Sequence, residues 1–319
     1  MLAIKEIEGQ LSWVDVPDLC IEPGAVRIRV AATAVNRADL VQRAGAYPPP
    51  PGVTDILGLE CSGQITELGE GVEGWELGDS VCALLPGGGY AEEVVVPAQH
   101  LLPIPERLSL VEAAAIPEVF TTAWLNLRLE GSLKDQERVL IHAGASGVGT
   151  AAVQLCKAWG NPVVVTVGGE QKCQRMLAMG ADLAIDRLAG PWAKDAKAHG
   201  KFDLILDPVG GQYLESNIWS LNPGGRLINI GLMGGREGTL PLAPLLTKRL
   251  QVKGSVLRSR SNEEKGRIIA ALREEVWPLI ESGQVSPLIH EVIAINEAER
   301  AHALVQTNKT IGKVVLKVH

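Results

Sequence analysis

Residues 139–149 read Val-Leu-Ile-His-Ala-Gly-Ala-Ser-Gly-Val-Gly, a spacing that suits the binding of a pyrophosphate. An apolar run predicts a strand over Val139–His142, and the run Thr150–Trp159 is typical of a helix. The next apolar run predicts a strand over Val163–Val167. Glycines allow the backbone to approach a phosphate, and the N–H groups at a helix N-terminus face that anion. This unit therefore predicts a dinucleotide-binding turn made of Ala143, Gly144, Ser146, Gly147, Val148 and Gly149. Ser146 is expected to donate its hydroxyl to the pyrophosphate, to cap the helix, or to do both.

The end of the second strand indicates which dinucleotide binds. NAD-binding proteins usually carry an acid there for the ribose 2′-hydroxyl, whereas this strand runs into Gly168 and Gly169. Glu170 lies beyond the strand end. Small residues leave room for a 2′-phosphate, and Lys172 and Arg187 are candidates to bind it. The cofactor prediction is therefore NADP, the alternative being that these two cations are ordinary surface charges.

Composition restricts the class of protein. The chain has 319 residues, 46% of them hydrophobic and 21% charged, with a net charge of −7. This balance is typical of a globular enzyme and argues against a nucleic-acid partner or an anionic membrane surface. The five cysteines are scattered without a CxxC pair, which favours a reduced, cytoplasmic protein. We expect no signal peptide and no transmembrane span.

The first hundred residues are rich in short apolar segments bounded by turn residues, which predicts an irregular β-barrel. The proline run over Pro48–Pro51 predicts a stiff extended loop. Two helices, broken near Pro117, are expected to lead into the second domain. The predicted strands are Ala25–Val35, Ile56–Leu68, Ser80–Leu85 and Ala91–Val96, and the predicted helices are Leu110–Ala115 and Val119–Arg128.

From Val139 onward, apolar strands alternate with helical stretches, which predicts a doubly wound parallel sheet of six strands. Two helices follow, over Glu263–Gly283 and Glu297–Gln306. A last strand over Val314–Val318 needs a partner, and we expect it to pair with the first barrel. The six strands are Val139–His142, Val163–Val167, Leu183–Asp186, Leu204–Asp207, Leu227–Ile230 and Gln251–Val256.

Together, several segments make the whole chain resemble the zinc-free quinone oxidoreductases of the medium-chain dehydrogenase/reductase superfamily. Among these it is most similar to the group of the p53-inducible NADPH quinone oxidoreductase. The resemblance implies a GroES-like β-barrel catalytic domain over 1–117 and 258–319, and a Rossmann NADP-binding domain over 118–257. The segments that carry it are Asn36 to Asp39 with Arg43, Gly45 to Tyr47, Gly58 to Gly63, Gly78-Asp79, Ala143 to Gly149, Asp207 to Gly211, Gly231 to Gly235, Leu257 to Arg260, and Asn308 to Lys313.

The resemblance also assigns roles to single residues. It places Asn36 and Tyr47 at the nicotinamide end, with Tyr47 donating a hydrogen bond to a developing oxyanion. The alternative for Tyr47 is an anchor for its loop. The resemblance further implies cofactor contacts for Thr122, for the Gly231 backbone, and for Arg187, which stands where many relatives have tyrosine. Arg258, Arg260 and Asn308 lie in segments that border the cofactor, with surface ion pairing as the alternative.

The residues do not favour a metal. Where zinc-dependent relatives have Gly-His-Glu, this chain has Gly58-Leu59-Glu60, and leucine cannot ligate zinc. The four-cysteine lobe of alcohol dehydrogenases is missing from the sequence. The six histidines, among them His319, show no metal-binding spacing, and His142 is expected to serve packing. We therefore expect a metal-free site.

The predicted activity is NADPH-dependent reduction of quinones of the ortho type by hydride transfer. The alternatives are reduction of an activated alkene, such as an alkenal or an enoyl thioester, and a structural or regulatory NADPH-binding role, as in zeta-crystallin. The expected partner is a small-molecule quinone, with no nucleic acid and no membrane. The resemblance also implies a homodimer formed through the sheet edge at Gln251–Val256.

Overall fold

A computed structural model describes residues 1–318 of the chain, so His319 lies outside the described residues. The chain divides into two compact units, one made of residues 1–121 and 257–318, the other of residues 122–256. Within the described residues, no helix is long and apolar enough to cross a lipid bilayer.

Residues 1–318 contain fifteen strands. They are β1 Leu2–Ile7, β2 Gln10–Asp15, β3 Ala25–Val35, β4 Glu60–Leu68, β5 Ser80–Leu84, β6 Glu93–Pro97, β7 Leu101–Pro103, β8 Val139–Ile141, β9 Val163–Val167, β10 Leu183–Asp186, β11 Phe202–Asp207, β12 Leu221–Asn229, β13 Gln251–Gly254, β14 Ile289–Ala294 and β15 Lys313–Lys317.

Eleven α-helices connect these strands within residues 1–318. They are α1 Arg37–Arg43, α2 Leu110–Ala113, α3 Pro117–Trp124, α4 Gly147–Ala158, α5 Glu170–Ala178, α6 Trp192–Ala198, α7 Leu214–Ser220, α8 Leu242–Thr247, α9 Asn262–Glu275, α10 Trp277–Glu281 and α11 Ala298–Gln306. A π-helical turn, Leu125–Leu129, continues α3.

The first unit is built on a seven-stranded sheet in the order β14-β15-β3-β4-β5-β7, with β6 also paired to β3. The strand near the end of the chain pairs with the N-terminal barrel, as predicted: β15 runs antiparallel to β3, with Val314 opposite Val35. Strand β14, which was not predicted from the sequence, pairs in parallel with β15. The apolar residues of β3, β4 and β5 are buried, and they form the core of the barrel.

Two predicted elements of the first unit differ most from the observed bounds. The strand predicted from Ile56 begins only at Glu60, because Gly58 adopts a φ of +104° and forms a turn against Tyr90. The helix predicted over Glu263–Gly283 divides into α9 and α10, since Pro278 has no N–H to continue the helical bonds. The predicted break near Pro117 is confirmed, and Pro117 is the first residue of α3.

The second unit confirms the predicted doubly wound sheet. Its six strands run parallel in the order β10-β9-β8-β11-β12-β13. Burial is complete along β9, as expected for a parallel sheet covered on both faces. The helix after the glycine turn starts at Gly147, three residues before the predicted start, because Ser146 caps it there. In this sheet β8 and β11 lie at the centre, and the predicted dinucleotide turn follows β8 directly.

Candidate active site

The first unit contains a buried polar cluster centred on Asn36, at the junction of β3 and α1. The Asn36 backbone N–H donates to Asp39 Oδ2 at 2.7 Å, which orders the start of α1. Asp39 also accepts hydrogen bonds from Gly58 N–H and from the Tyr90 hydroxyl. Burial raises the pKa of Asp39 to about 6, although these donors and the Lys313 ammonium oppose the shift.

A buried ion pair holds the side chain of Asn36. Lys313 Nζ lies 2.7 Å from Glu60 Oε1, and the two side chains are 4% and 0% exposed. Lys313 Nζ also donates to Asn36 Oδ1 at 2.6 Å, while Asn36 Nδ2 donates to Glu60 Oε1 at 2.9 Å. Both ends of the Asn36 amide are therefore fixed, and the rotation of this side chain is determined by the ion pair.

A second group of polar side chains surrounds Tyr47. The Arg258 guanidinium lies over the Tyr47 ring, 5.3 Å from its centroid. Arg258 is 5% exposed, and its Nε donates to the carbonyl oxygen of Pro86 at 2.6 Å. Partial burial and the nearby Glu118 raise the pKa of Tyr47, so its hydroxyl remains a donor at neutral pH.

Glu118 links the two groups. Its backbone N–H donates to Glu60 Oε2 at 2.8 Å. Burial raises the pKa of the Glu118 carboxyl to about 8, and the charges of Glu60 and Asp39 raise it further, against the effect of Lys313 and Arg258. The Glu118 carboxyl therefore ionises less readily than that of an ordinary glutamate.

In the second unit, the predicted dinucleotide turn is sterically restricted to small residues. A Cβ on Gly144 would lie 2.6 Å from Val165 Cβ, and one on Gly149 would lie 2.5 Å from the carbonyl oxygen of Gly144. Ala143 adopts a φ of +52° before the turn. Gly147, Val148 and Gly149 form the first turn of α4, and Ser146 Oγ accepts a hydrogen bond from Gly149 N–H at 3.0 Å. The predicted capping role of Ser146 is thus confirmed.

The end of β9 brings two of the predicted phosphate residues together. A Cβ added to Gly168 would lie 3.4 Å from Arg187 Nη2, so the guanidinium lies beside this glycine. Gly169, with a φ of +92°, donates its N–H to Asp186 Oδ1, and this contact turns the chain into α5. Lys172 lies in the first turn of α5 and is partly buried.

Thr122 and Gly231 also occupy defined positions in the second unit. Thr122 lies in α3, where its carbonyl accepts a hydrogen bond from Asn126 Nδ2. Gly231 follows β12, and a Cβ there would lie 2.7 Å from the carbonyl oxygen of Pro208. Glycine is therefore required at position 231 for a steric reason.

Arg260 and Asn308, both in the first unit, have protein partners. Arg260 precedes α9 and forms an ion pair with Glu264 in the first turn of that helix. Asn308 Oδ1 accepts a hydrogen bond from Arg37 Nη2 at 2.6 Å.

His142 serves packing, as predicted. It is 1% exposed, with Nδ1 at 2.8 Å from Thr166 Oγ1 and Nε2 at 2.7 Å from Asn217 Oδ1. Trp192 and Tyr213 pack edge-on against its ring. Burial lowers the pKa of His142, so it stays neutral.

Donor chemistry in the first unit does not suit zinc. Leu59 is buried beside Glu60 and offers no ligand atom. Across residues 1–318, no group of three or more His, Cys, Asp and Glu side chains is placed to hold a metal ion. The Glu60 carboxylate instead has the Lys313 ammonium as its counter-charge.

Sequence reasoning did not assign functional roles to Glu60, Lys313, Asp39 or Glu118. A signal was present, because Glu60 and Lys313 each lie at the start of an apolar strand. Charged residues in such positions are rarely buried unless they are paired.

Two family models match the chain. The alcohol dehydrogenase GroES-like domain matches residues 22–106, and the zinc-binding dehydrogenase model matches residues 147–274. The NAD(P)H oxidoreductase RTN4IP1, mitochondrial, of Danio rerio is 32% identical over 93% of this chain and 84% of the relative. The polyketide synthase GfsB of Streptomyces halstedii is 32% identical over 93% of this chain, which spans only 5% of that synthase. The chain spans 64% of another curated relative, the synaptic vesicle membrane protein VAT-1 homolog of Danio rerio.

Solved structures match over the full chain. The quinone oxidoreductase of Thermus thermophilus, solved with NADPH, is 33% identical with a TM-score of 0.83 and covers 100% of both chains. An NAD-dependent alcohol dehydrogenase is 32% identical with a TM-score of 0.86 over 100% of both chains. CurK enoyl reductase is 26% identical with a TM-score of 0.86, over 99% of this chain and 98% of its own.

The substitution Glu118→Gln tests the buried proton. Burial raises the pKa of the Glu118 carboxyl to about 8 in the folded protein, whereas the ordinary value of 4.5 applies to the unfolded chain. The native state therefore loses stability as the pH rises through this interval, and the neutral glutamine does not. We expect the apparent Tm of the variant to exceed that of the parent by a few degrees at pH 8 and to equal it near pH 4.5. Each kcal/mol of unfolding free energy corresponds to roughly 2–4 °C in Tm.

Glu112→Gln is the matched control on α2. Hydrogen bonds from Ser109 lower the pKa of Glu112, so removing its charge is expected to reduce the Tm above pH 4.5. A gain for Glu118→Gln that is equal at both pH values would contradict the buried-proton interpretation.

Proposed function

The chain belongs to the medium-chain dehydrogenase/reductase family of oxidoreductases, and from that premise we propose that it reduces quinones of the ortho type with NADPH. Within the family we place it with the zinc-free quinone oxidoreductases, nearest the p53-inducible group. Residues 1–117 and 258–319 are the proposed catalytic domain, and residues 118–257 are the proposed NADP-binding domain.

The ion pair between Lys313 and Glu60 is the observation that carries this proposal. Glu60 is the last residue of the Gly-x-Glu segment that belongs to the metal site in zinc-dependent relatives. In this chain the Lys313 ammonium group lies 2.7 Å from the Glu60 carboxylate. Such a site suits a substrate that accepts hydride without a Lewis acid. A quinone meets this condition, because its two conjugated carbonyls already favour reduction.

Elemental analysis of the purified protein is expected to find no stoichiometric zinc.

The residues of the second unit fit the proposed cofactor. The dinucleotide turn from Ala143 to Gly149 excludes larger residues at Gly144 and Gly149, and its N–H groups suit a pyrophosphate. Gly168 and Lys172, with Arg187, would hold the 2′-phosphate. The remaining proposed contacts are Thr122, the Gly231 backbone, Arg258, Arg260 and Asn308.

When bound, NADPH supplies a hydride to the substrate. The proposed task of Asn36 is to orient the nicotinamide, and the ion pair keeps its amide in one rotamer. Tyr47 donates a hydrogen bond to the oxygen that gains negative charge. Its hydroxyl keeps its proton at neutral pH, because burial and Glu118 raise its pKa.

Reduction of an activated alkene is the second candidate. The likeness to CurK enoyl reductase and to the polyketide synthase GfsB favours it. Measuring NADPH oxidation with an ortho-quinone, an alkenal and an enoyl thioester separates the two activities. A protein that binds NADPH and oxidises it with none of these substrates would instead have a structural or regulatory role.

We further propose a homodimer through the edge of the second unit's sheet. The edge strand β13 ends this sheet, and Val252 on it is 41% exposed. Leu246, at the end of the adjacent α8, is 75% exposed. Open strand edges with apolar side chains favour pairing with a second copy.

We expect sedimentation equilibrium to give twice the chain mass, and the substitution Val252→Lys to halve that mass. Leu77→Lys, in an exposed turn of the first unit, is the control, and a parent protein that sediments as a monomer would refute the dimer.

Lys172→Glu tests the choice of cofactor. Each charge-assisted contact to the 2′-phosphate contributes roughly 1.5–3 kcal/mol, so we expect the Kd for NADPH to rise at least about tenfold and that for NADH to change little. Fluorescence titration measures both constants. Lys197→Glu, on the surface of the same unit, is the control and should alter neither. Equal affinities of the parent protein for the two cofactors would refute the NADP assignment.

Tyr47→Phe and Asn36→Ala test the proposed catalytic residues. Loss of one oxyanion donor costs about 2.7–4 kcal/mol in well-studied sites, and an activated quinone should be less affected. We expect Tyr47→Phe to lower kcat modestly with the Kd for NADPH unchanged, and Asn36→Ala to weaken cofactor placement more. Steady-state kinetics with an ortho-quinone distinguish these effects. If Tyr47→Phe is fully active, the proposed role of Tyr47 in catalysis is wrong, and its side chain serves only to anchor its loop.

A further inference from the structure

A series of hydrogen bonds between three buried side chains leads through the first unit to Asn36. His302 lies on α11, Tyr90 in the loop before β6, and Asp39 in the first turn of α1. His302 Nε2 lies 3.2 Å from the Tyr90 hydroxyl oxygen, which in turn lies 3.2 Å from Asp39 Oδ2. The same Oδ2 accepts the backbone N–H of Asn36 at 2.7 Å. Three distant parts of the sequence thus meet in one network that ends at the backbone of Asn36.

Packing holds the Tyr90 hydroxyl beside Asp39. The Tyr90 backbone N–H donates to the carbonyl oxygen of Leu57 at 2.9 Å. A Cβ on Gly58 would lie 2.7 Å from Tyr90 Cδ1, so the ring packs directly against that turn. The His302 ring meets the Tyr90 ring edge-on, with the two centroids 5.8 Å apart. The hydroxyl is therefore fixed in place as a partner for the carboxyl group.

The direction of the hydrogen bonds follows from the number of protons available. An ionised Asp39 can only accept, so the single hydroxyl proton of Tyr90 points to Asp39. His302 then donates from Nε2, and Nδ1 of the neutral ring carries no proton. Nδ1 is buried without a partner in residues 1–318, which suits a bare nitrogen better than an N–H group. Burial and the Arg43 guanidinium lower the pKa of His302 to about 4, against the effect of Glu299.

We propose that Tyr90 and His302 are positioning residues for Asn36, because they keep Asp39 an ionised acceptor that holds the Asn36 backbone. The inference rests on the proposed function, in which Asn36 orients the nicotinamide. The ion pair of Lys313 with Glu60 fixes the amide group of the Asn36 side chain. Asp39 fixes the backbone of the same residue at the start of α1. Asn36 needs both contacts to keep one position.

Protonation of Asp39 disturbs this arrangement at whichever oxygen takes the proton. A proton on Oδ1 opposes the Gly58 N–H, which donates to that atom. A proton on Oδ2 reverses the bonds to Tyr90 and His302 and moves the histidine proton to Nδ1, where it finds no partner in the described chain. In both cases the hold of Asp39 on the Asn36 N–H weakens.

The change falls in a pH range that an experiment can reach. Burial raises the pKa of Asp39 to about 6, and the hydrogen bond from Tyr90 opposes that rise. The other charged groups that act on this network come from several elements of the first unit. They are Lys313 on β15, Glu60 on β4, Glu118 on α3, Arg258 before α9, and Arg43 with Glu299 near His302.

Tyr90→Phe tests the positioning role through the pH profile of kcat/KM with NADPH and an ortho-quinone. Loss of a hydrogen bond to a charged group is expected to move the acidic limb upward by about one pH unit. The variant should therefore be roughly fivefold less active than the parent at pH 6 and within about twofold of it at pH 8. Titration of Glu118 affects both proteins alike and cancels in this ratio.

Two substitutions of His302 separate hydrogen bonding from packing. His302→Gln keeps an N–H that can donate to Tyr90, so its profile should match that of the parent. His302→Leu has no donor, and its acidic limb should move in the same direction as that of Tyr90→Phe. His100→Leu is the matched control and should leave the limb in place, since His100 is buried in the same unit but contacts the carbonyl oxygen of Asn262.

NMR spectroscopy separates this inference from the proposed activity. In the parent protein with ¹⁵N-labelled histidine, His302 should show a protonated Nε2 and a bare Nδ1 at neutral pH. With ¹³C-labelled aspartate, the Asp39 carboxyl should titrate at a higher pH in Tyr90→Phe than in the parent, and the Asn36 amide signal should follow the same midpoint. If no quinone is reduced but these signals behave as expected, the proposed activity fails and the control of Asn36 by the network stands.

Three results would overturn the inference. The first is a proton on Nδ1 of His302 in the parent at neutral pH, a measurement that needs no variant and decides the matter even if Tyr90→Phe does not fold. The second is a loss of activity in Tyr90→Phe that is equal at pH 6 and pH 8, which would assign Tyr90 to packing alone. The third is an Asn36 amide signal that does not respond when Asp39 titrates.

Discussion

The buried ion pair between Lys313 and Glu60 is the interaction on which the first unit depends. It joins β15, β4 and the junction of β3 with α1, and its side chains are 4% and 0% exposed. Removing two charges from water is costly, and their attraction compensates only if the remaining donors and acceptors are also satisfied. Asn36, the Val35 carbonyl and the Glu118 backbone N–H supply those bonds. The position of Asn36 is therefore a consequence of how the strands assemble.

Two buried polar networks in this chain differ in how fully they are satisfied. Both ring nitrogens of His142 have a partner, and one of those partners, Asn217, also donates to Asp207, so that network completes the core of the second unit. Around Arg258, by contrast, two buried donors lack a partner within the described chain. Within residues 1–318, buried polar atoms without a partner also occur at His100, Asn126 and Asn161, so a missing partner does not by itself mark a binding site.

Much of the fold was predictable from the sequence, and the site was predictable only in part. Val163–Val167 and Leu183–Asp186 were predicted with their observed bounds, because short apolar runs between turn residues define parallel strands locally. The glycine turn was predictable for the same reason. The pairing of Lys313 with Glu60 was not, since 253 positions separate the two residues and only the tertiary fold brings them together. The start of β4 was misplaced because the turn at Gly58 depends on Tyr90, which lies far along the chain.

The late position of β15 in the chain has a consequence for the order of folding. Residues 122–256 form a continuous unit, so all of its strands leave the ribosome before β15 is synthesised. Most barrel strands of the first unit are synthesised early. The pairing of β3 with β15 and the hydrogen bond of Asn36 to Lys313 form only after β15 has been synthesised. Until then Glu60 is a buried charge without its partner, and β3 has an open edge. The nascent chain thus passes through a stage in which the second unit can be complete while the first unit is still exposed to misassembly, which is the stage where a chaperone would act.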